Sequence, residues 1–291
     1  MRRPPVPSRT VLVTGCSTGI GLATARVLRA RRWTVWPTAR RAEDLARLME
    51  EGFDPIALDV ADPASVESAA AAVLERSGGR LGGLVNNAGV GIAGAVEDLS
   101  RDALRRQFEV NVVGLVDLTN RLIPAMRAQG AGRIVNIGSV LGRIVAPMVG
   151  AYCASKYALE ALSDAWRIEL WDTGIGVSIV EPGPIESAFR RNAAEAAARW
   201  IDADRSRFRE QIIREIERKR RGESAHRRFM RPPEDVARVV VHALESSRPR
   251  RRYPVTLPAH FGVWAGRWLP TAWLDRLRLA GLRSDRPGRT G

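Results

Sequence analysis

The stretch YCASKYALEAL, residues 152–162, places Tyr152 four residues before Lys156. On a helix, positions i and i+4 share a face, so these two side chains meet. Tyr157 is adjacent to the lysine in sequence but points about 100° away around the helix, which assigns it to packing. A tyrosine with its usual pKa of about 10 is a poor acid or base at neutral pH. A nearby cation favours the phenolate and lowers that pKa, so such a pair can give a proton to a forming alkoxide or take one from an alcohol. Of 46 lysine and arginine residues only two are lysines, Lys156 and Lys219. Lysine is a compact charge with three donors, able to reach a ribose hydroxyl as well as a tyrosine. Taken alone, the pair reads as an ordinary helix-surface pair.

It is accompanied. Ser139 closes the apolar run RIVNIGS (133–139) ahead of Tyr152. Reactants of open α/β sheets bind beyond the carboxyl ends of the strands, where a serine hydroxyl can hold a substrate oxygen. NNAG (86–89), with Asn87, Ala88 and Gly89, ends another apolar run. Asn111 of NVVG lies in a helical stretch, where an amide is an indifferent helix former. Once buried it needs a partner, and it can hold a carbonyl or water in a proton chain.

TGCSTGIG (14–21) offers Gly15, Ser17, Thr18, Gly19, Ile20 and Gly21 as a phosphate cradle. Glycines at these places allow a tight turn and close backbone approach to a pyrophosphate, with the anion at the N-terminus of the next helix. After the second apolar run comes Thr38-Ala39-Arg40-Arg41 rather than an acidic residue. A carboxylate there would bind a ribose 2′-hydroxyl, whereas the Arg40 guanidinium suits a 2′-phosphate, so NADP(H) is favoured over NAD(H). Either arginine could also be one more surface arginine. Asp59 and Val60, closing the third run, are expected at the adenine edge, while Asp62 before Pro63 suits a helix N-cap.

These residues need a scaffold that brings strand ends and helix starts together. Seven β-prone runs, TVLVTG (10–15), TVWPTA (34–39), PIALDV (55–60), GGLVNNA (82–88), RIVNIGS, GVSIVEPG (176–183) and RYPVTLP (252–258), alternate with helical stretches. That rhythm predicts a single α/β domain over residues 1–258: a doubly wound (Rossmann) seven-stranded parallel sheet with helices on both faces. Pro37 must sit near a strand end or where no ladder bond is needed. Residues 184–230 form a polar, Ala/Arg/Glu-rich helical insertion. Residues 259–282 are an apolar and basic helical tail carrying Trp264, Trp268 and Trp273, and 283–291 are expected to be disordered. The tail could pack against the sheet edge or a sister subunit, line a pocket, or lie at a membrane surface; packing is the leading expectation.

The net charge of +14 raises nucleic acid or an anionic surface as a partner, yet the arginines are spread along the chain and no nucleic-acid motif accompanies them. Cys16 and Cys153 have no metal or disulfide spacing, which fits a reducing compartment. No apolar leader or membrane-length run is evident, so a cytoplasmic, at most membrane-peripheral, protein is expected.

TGCSTGIG, NNAG, NVVG, the serine before the tyrosine, YCASK and EPGPIES (181–187), in this order, resemble the motif set of the short-chain dehydrogenase/reductase family. The resemblance implies an Asn111–Ser139–Tyr152–Lys156 tetrad. Tyr152 is then the acid/base and Ser139 positions the carbonyl. Lys156 lowers the tyrosine pKa and holds the nicotinamide ribose, and Asn111 supports a proton relay. Asn87 to Gly89 would line the cofactor, and Pro182, Gly183, Ile185 and Ser187 would wrap its nicotinamide end. Where the family often has a first serine before the site this chain has Gly138, and Ser187 stands for a frequent threonine. In this family the 184–230 segment closes over substrate, with Phe189, Trp200, Phe208 and Ile212 as candidate walls. The segment and the tail resemble the hydroxysteroid and retinol dehydrogenase branch, which implies a bulky apolar alcohol or ketone and a homodimer or homotetramer. The resulting expectation is an NADP(H)-dependent oxidoreductase. A non-catalytic NADP(H)-binding regulatory or scaffold protein is the alternative.

Overall fold

The computed structural model describes residues 3–221 and 227–284. Seven strands appear at the expected runs: β1 Thr10–Val13, β2 Thr34–Ala39, β3 Ile56–Ala57, β4 Gly83–Asn86, β5 Gly132–Ile137, β6 Ile175–Glu181 and β7 Arg252–Pro254. They form one parallel sheet in the order β3-β2-β1-β4-β5-β6-β7. The order reverses between β1 and β4, which opens a crevice at the carboxyl ends of those strands.

Alternation along each strand explains why both faces are covered. Leu12, Trp36, Leu84, Ile134, Val177 and Ile179 belong to one buried layer. Their neighbours Val11, Val13, Val35, Val85, Val135 and Val180 belong to the other. The first layer is roofed by α3 (Pro63–Arg76), α5 (Gly114–Ala128) and α6 (Gly150–Glu169); the second by α1 (Gly19–Ala30) and α9 (Pro233–Glu245), which pack on each other. The remaining helices are α2 (Ala42–Glu50), α4 (Arg101–Phe108), α7 (Phe189–Trp200), α8 (Arg209–Arg220), α10 (Leu257–Trp268) and α11 (Thr271–Ser284).

Local chemistry sets several boundaries. Asp62 caps α3, its carboxylate accepting from Ala64 N at 3.2 Å, with Pro63 at the first helical position. Thr34 N donates to Arg9 O and Cys16 N donates to Thr38 O, so even-numbered residues of β2 turn toward β1. Pro37 therefore turns to the other side, where pairing with β3 begins only at Thr38. Its missing N–H costs no ladder bond. β3 is much shorter than the apolar run predicts. The chain leaves the ladder where the Asp59 carboxylate accepts from Ala61 N at 3.0 Å and Asp59 N donates to Ser65 Oγ.

The described part of the 184–230 segment contains α7 and α8, with 222–226 outside the described residues, and the tail is helical as α10 and α11. α11 runs to Ser284, two residues into the stretch expected to be disordered; 285–291 lie outside the described residues.

Candidate active site

The turn from β1 into α1 is built from glycines that nothing larger could replace. Gly15 and Gly19 have φ of +71° and +62°, in the left-handed region. A Cβ on Gly15 would stand 2.9 Å from Ala88 Cα, and one on Gly21 would stand 2.5 Å from Asn87 Nδ2. NNAG packs directly beneath this turn. Thr14 Oγ1 accepts from Asn87 N and Ala88 N, both at 2.9 Å, while Asn87 Nδ2 donates to Thr14 O at 2.8 Å and Gly15 O at 2.9 Å. Thr18 occupies the N-cap of α1 without a side-chain cap bond, and the first turn, which includes Ile20, holds no acidic residue. The helix thus presents backbone N–H groups and a positive dipole end to an anion. Ser187, on the loop after β6, closes on the same turn: a Cβ on Gly19 would lie 3.0 Å from Ser187 Cβ.

At the end of β2, Arg40 Nη1 lies 3.8 Å from Asp59 Oδ2, and Arg106 Nη2 reaches the same oxygen at 3.9 Å. Arg41 turns to Glu43 and Asp44 instead. Arg47 Nη2 donates to Ser17 O at 2.6 Å, which ties α2 to the glycine-rich turn. Val60 is buried against α5, whose Gly114 leaves no room for a Cβ beside Val60 O.

β5 delivers Ser139, and a tight turn over Val140–Gly142 follows. Ser139 is buried; its hydroxyl accepts from Leu141 N at 3.1 Å and stands close enough to the Tyr152 side chain to lower its pKa. Gly138 has a packing reason: a Cβ there would meet Ile179 Cδ1 at 2.9 Å. Tyr152 stands in the first turn of α6, half-buried, with Lys156 one turn on. The lysine Nζ lies 5.8 Å from the tyrosine ring centroid and donates to Ile137 O at 2.7 Å. Burial takes the Lys156 pKa from 10.5 down to about 8. Tyr152 moves the other way: burial pushes it up to about 12, with the Ser139 hydrogen bond pulling it partly back. Lys156 does not bring about the expected lowering; the tyrosine is desolvated by the residues packed over it, and that sets the direction.

Asn111 is buried in a π-helical turn, Glu109–Val113, between α4 and α5. Its Oδ1 accepts from Val90 N at 2.8 Å, and its Nδ2 donates to Val90 O and to Ser155 Oγ, both at 3.0 Å. Ser155 Oγ donates in turn to Tyr152 O at 2.8 Å, so Asn111 joins the NNAG loop to the helix that carries tyrosine and lysine. A Cβ on Gly89 would stand 3.4 Å from Asn111 Oδ1 and 3.9 Å from Lys156 Nζ, so this glycine keeps the floor of the site open.

On the far wall, Pro182 O accepts from Val140 N at 2.9 Å, Gly183 packs against Thr256, and Ile185 is buried. The Phe189 ring lies 5.5 Å from the Tyr152 ring. Trp200, Phe208 and Ile212 do not reach the tyrosine; they gather with Ile92, Ala103 and Ile201 in a separate apolar cluster. Tyr157, expected to pack, is 42% exposed on the outer face of α6, within reach of the Arg278 charge.

Several supporting residues were not singled out from the sequence. Thr14, Ser155, Gln107 and Arg47 sit among the motif residues, and hydroxyls and amides adjoining them were the available signal. Gln107 is fully buried and brackets the loop after NNAG, accepting from Ile92 N and donating to Val90 O, both at 2.8 Å. Met148, at φ +62°, accepts at its carbonyl from Gly94 N and has no signal in its residue type. Among the described residues no group of His, Cys, Asp or Glu could hold a metal ion.

Residues 9–198 match the family described as short chain dehydrogenase. The chain is 40% identical over 272 residues to the uncharacterized oxidoreductase YbbO of Escherichia coli K12, covering 94% of each. It is 34% identical over 258 residues to human 17-beta-hydroxysteroid dehydrogenase type 1, covering 84% of this chain and 77% of that one. Among solved structures, actinorhodin polyketide ketoreductase with NADPH superposes with a TM-score of 0.71 at 30% identity, over 87% of this chain and 97% of that one. A nicotinamide cofactor is the family's partner, and alcohols and ketones are its substrates. The chain belongs to the short-chain dehydrogenase family and is an oxidoreductase.

Proposed function

We propose that the protein is an NADP(H)-dependent reductase or dehydrogenase of a bulky apolar ketone or secondary alcohol, with Tyr152 as its acid and base. The observation that carries this reading is the convergence of three residues: Ser139 closing β5, Tyr152 in the first turn of α6, and the buried Lys156 one turn along the same helix. The residues of the crevice fit a nicotinamide dinucleotide. Gly15, Gly19 and Gly21, with Ser17, Thr18 and Ile20, would hold the pyrophosphate at the start of α1. Asn87, Ala88 and Gly89 would line the middle, and Pro182, Gly183, Ile185 and Ser187 the nicotinamide end. Asp59 and Val60 would meet the adenine.

When bound, the dinucleotide supplies the hydride for reduction or accepts it in oxidation. Ser139 positions the substrate oxygen. Tyr152 gives that oxygen its phenolic proton in reduction and takes it back in oxidation. Burial keeps the tyrosine protonated at neutral pH, so the donor form is the resting one. The Lys156 ammonium beside the ring stabilises the phenolate that proton transfer leaves, and it would also hold the nicotinamide ribose. Asn111 holds Val90 and Ser155 in register with the tyrosine and supports reprotonation.

Arg40 supports the phosphorylated cofactor. It follows the last residue of β2, the position where a carboxylate would bind a ribose 2′-hydroxyl, and its half-exposed guanidinium lies 3.8 Å from Asp59. The NADPH bound in the ketoreductase structure is consistent with this choice. The apolar substrate class is supported by the Phe189 ring on Tyr152 and by the name of the human relative. Titration with NADPH and with NADH, followed by nicotinamide fluorescence, tests the reading. The expected result is tighter NADPH binding, weakened about tenfold or more by Arg40→Asp. Equal or tighter binding of NADH would overturn the assignment.

A further inference from the structure

The chemistry described so far makes no use of the exposed side of residues 257–284. α10 is two-faced. Ala259 and Ala265 are buried, and Gly262 and Gly266 let the helix lie directly on the turn that follows Ser139. A Cβ on Gly262 would stand 3.0 Å from Ile144 Cδ1, and one on Gly266 3.0 Å from Ile144 Cγ2. The opposite face carries Leu257, Phe261, Trp264 and Trp268, whose spacing confines them to roughly 60° of the helix circumference. They are 79%, 59%, 51% and 67% exposed, and Trp273 on α11 is 61% exposed. Small residues bury here while large aromatics face outward, the reverse of an ordinary surface helix. Five large apolar side chains on one short helical pair form a patch rather than scattered surface residues.

The charge around this patch has one sign. Residues 257–284 contain Arg267, Arg276, Arg278 and Arg283 against a single acid, Asp275, in a chain of net charge +14. The Arg267 guanidinium lies 5.7 Å from the Trp268 ring centroid, at the border of the aromatic stripe. Tryptophan with adjoining arginine is the composition of helices that lie at headgroup depth, rings among the acyl carbonyls and guanidiniums on phosphates. Among the described residues no helix is long and apolar enough to cross a membrane, so the pair can lie on a bilayer but not span it.

We propose that the exposed face of α10 and the start of α11 is a docking surface for an anionic lipid bilayer. Charge complementarity favours lipid over a second copy of the chain. Two such faces brought together would oppose arginine to arginine, whereas a bilayer containing anionic lipid supplies the missing negative charge. The docked face adjoins the site: α10 rests on the turn after Ser139, and the charge of Arg278 reaches Cys153 and Tyr157 on α6.

The experiment is co-sedimentation of the full chain with vesicles of phosphatidylcholine mixed with phosphatidylglycerol, and with vesicles of phosphatidylcholine alone, at low and moderate salt. The full chain is expected to bind the mixed vesicles more tightly, less so as salt rises, with a blue shift of tryptophan emission. The double substitution Trp264→Glu/Trp268→Glu, and separately Leu257→Glu/Phe261→Glu, are expected to weaken partitioning about tenfold or more. Both should leave the thermal midpoint and the solution mass unchanged. Failure of the unaltered chain to bind the mixed vesicles would overturn the proposal. So would a drop in solution mass on substitution with vesicle binding unchanged, which would make the face a contact between copies.

Discussion

Lys156 carries a charge where the fold disfavours one. Burial brings its pKa from 10.5 to about 8, so the ammonium penalises the folded state fully below pH 8. As pH rises from about 8 to 10.5 the folded protein releases that proton first, and the penalty shrinks. Lys156→Met is therefore expected to abolish turnover and yet to raise stability at pH 7 by about 2–3 kcal/mol, with the gain fading toward pH 10. Urea denaturation at the two pH values checks it; a variant less stable at pH 7 would mean that the bond to Ile137 O outweighs the desolvation. Tyr152 contributes the opposite slope: its pKa is raised in the fold, so stability falls as pH rises from 10 toward 12. At this scale the sequence was informative about partners: i+4 spacing paired Tyr152 with Lys156, and a serine closing an apolar run lay beside them. It was silent on the sign of the tyrosine shift, which depends on what covers the ring. Phe189, far along the chain, is part of that cover. The hydroxyls of Thr14 and Ser155 were equally out of reach, since their partners are fixed only once β1 meets NNAG and α6 meets the Asn111 turn.

Between elements, a buried charge cluster ties α6, β6 and β7 together behind the site. Arg252 of β7 donates to Glu160 of α6, to Glu181 of β6 at 3.2 Å and to Asp164 at 2.6 Å. Arg143, just after the Ser139 turn, approaches Glu181 at 3.9 Å. Both glutamates are buried, and burial raises the Glu181 pKa while Arg143 opposes the rise. Arg252→Met strands two carboxylates and is expected to cost about 3–5 kcal/mol, with much of it recovered in the Glu160→Gln/Glu181→Gln background. Chemical denaturation of the four proteins measures the coupling, and an additive outcome would contradict it. Gly266→Leu is expected to lift α10 off the Arg143–Ile144 turn, lowering the thermal midpoint and, through the displaced Ser139 turn, kcat more than substrate KM. An unchanged midpoint would show that α10 is not clamped there. Element order was legible because β-prone runs alternate with helical ones. The length of β3 was not, because Asp59 and Ser65 end the strand with side-chain bonds that a run of apolar residues does not announce. The two-faced character of α10 was hidden too: its tryptophans suggested packing, whereas the glycines and alanines opposite them do it.

Over the whole molecule, one sheet with a reversal between β1 and β4 brings the glycine-rich turn, the ends of β4 and β5 and the start of α6 to a single crevice. That convergence is what would make residues scattered from Gly15 to Ser187 one site under the proposed function. The family membership rests on the matched motifs and relatives, and the central claim of the proposed function is that Tyr152 moves the proton. The most direct measurement compares the unaltered protein with Tyr152→Phe in reduction of an apolar ketone, with NADPH affinity determined on the same samples. The account predicts unchanged cofactor affinity and a fall in turnover of about 100-fold or more, the scale of a lost general acid. Turnover retained in a Tyr152→Phe protein that still binds NADPH would contradict it.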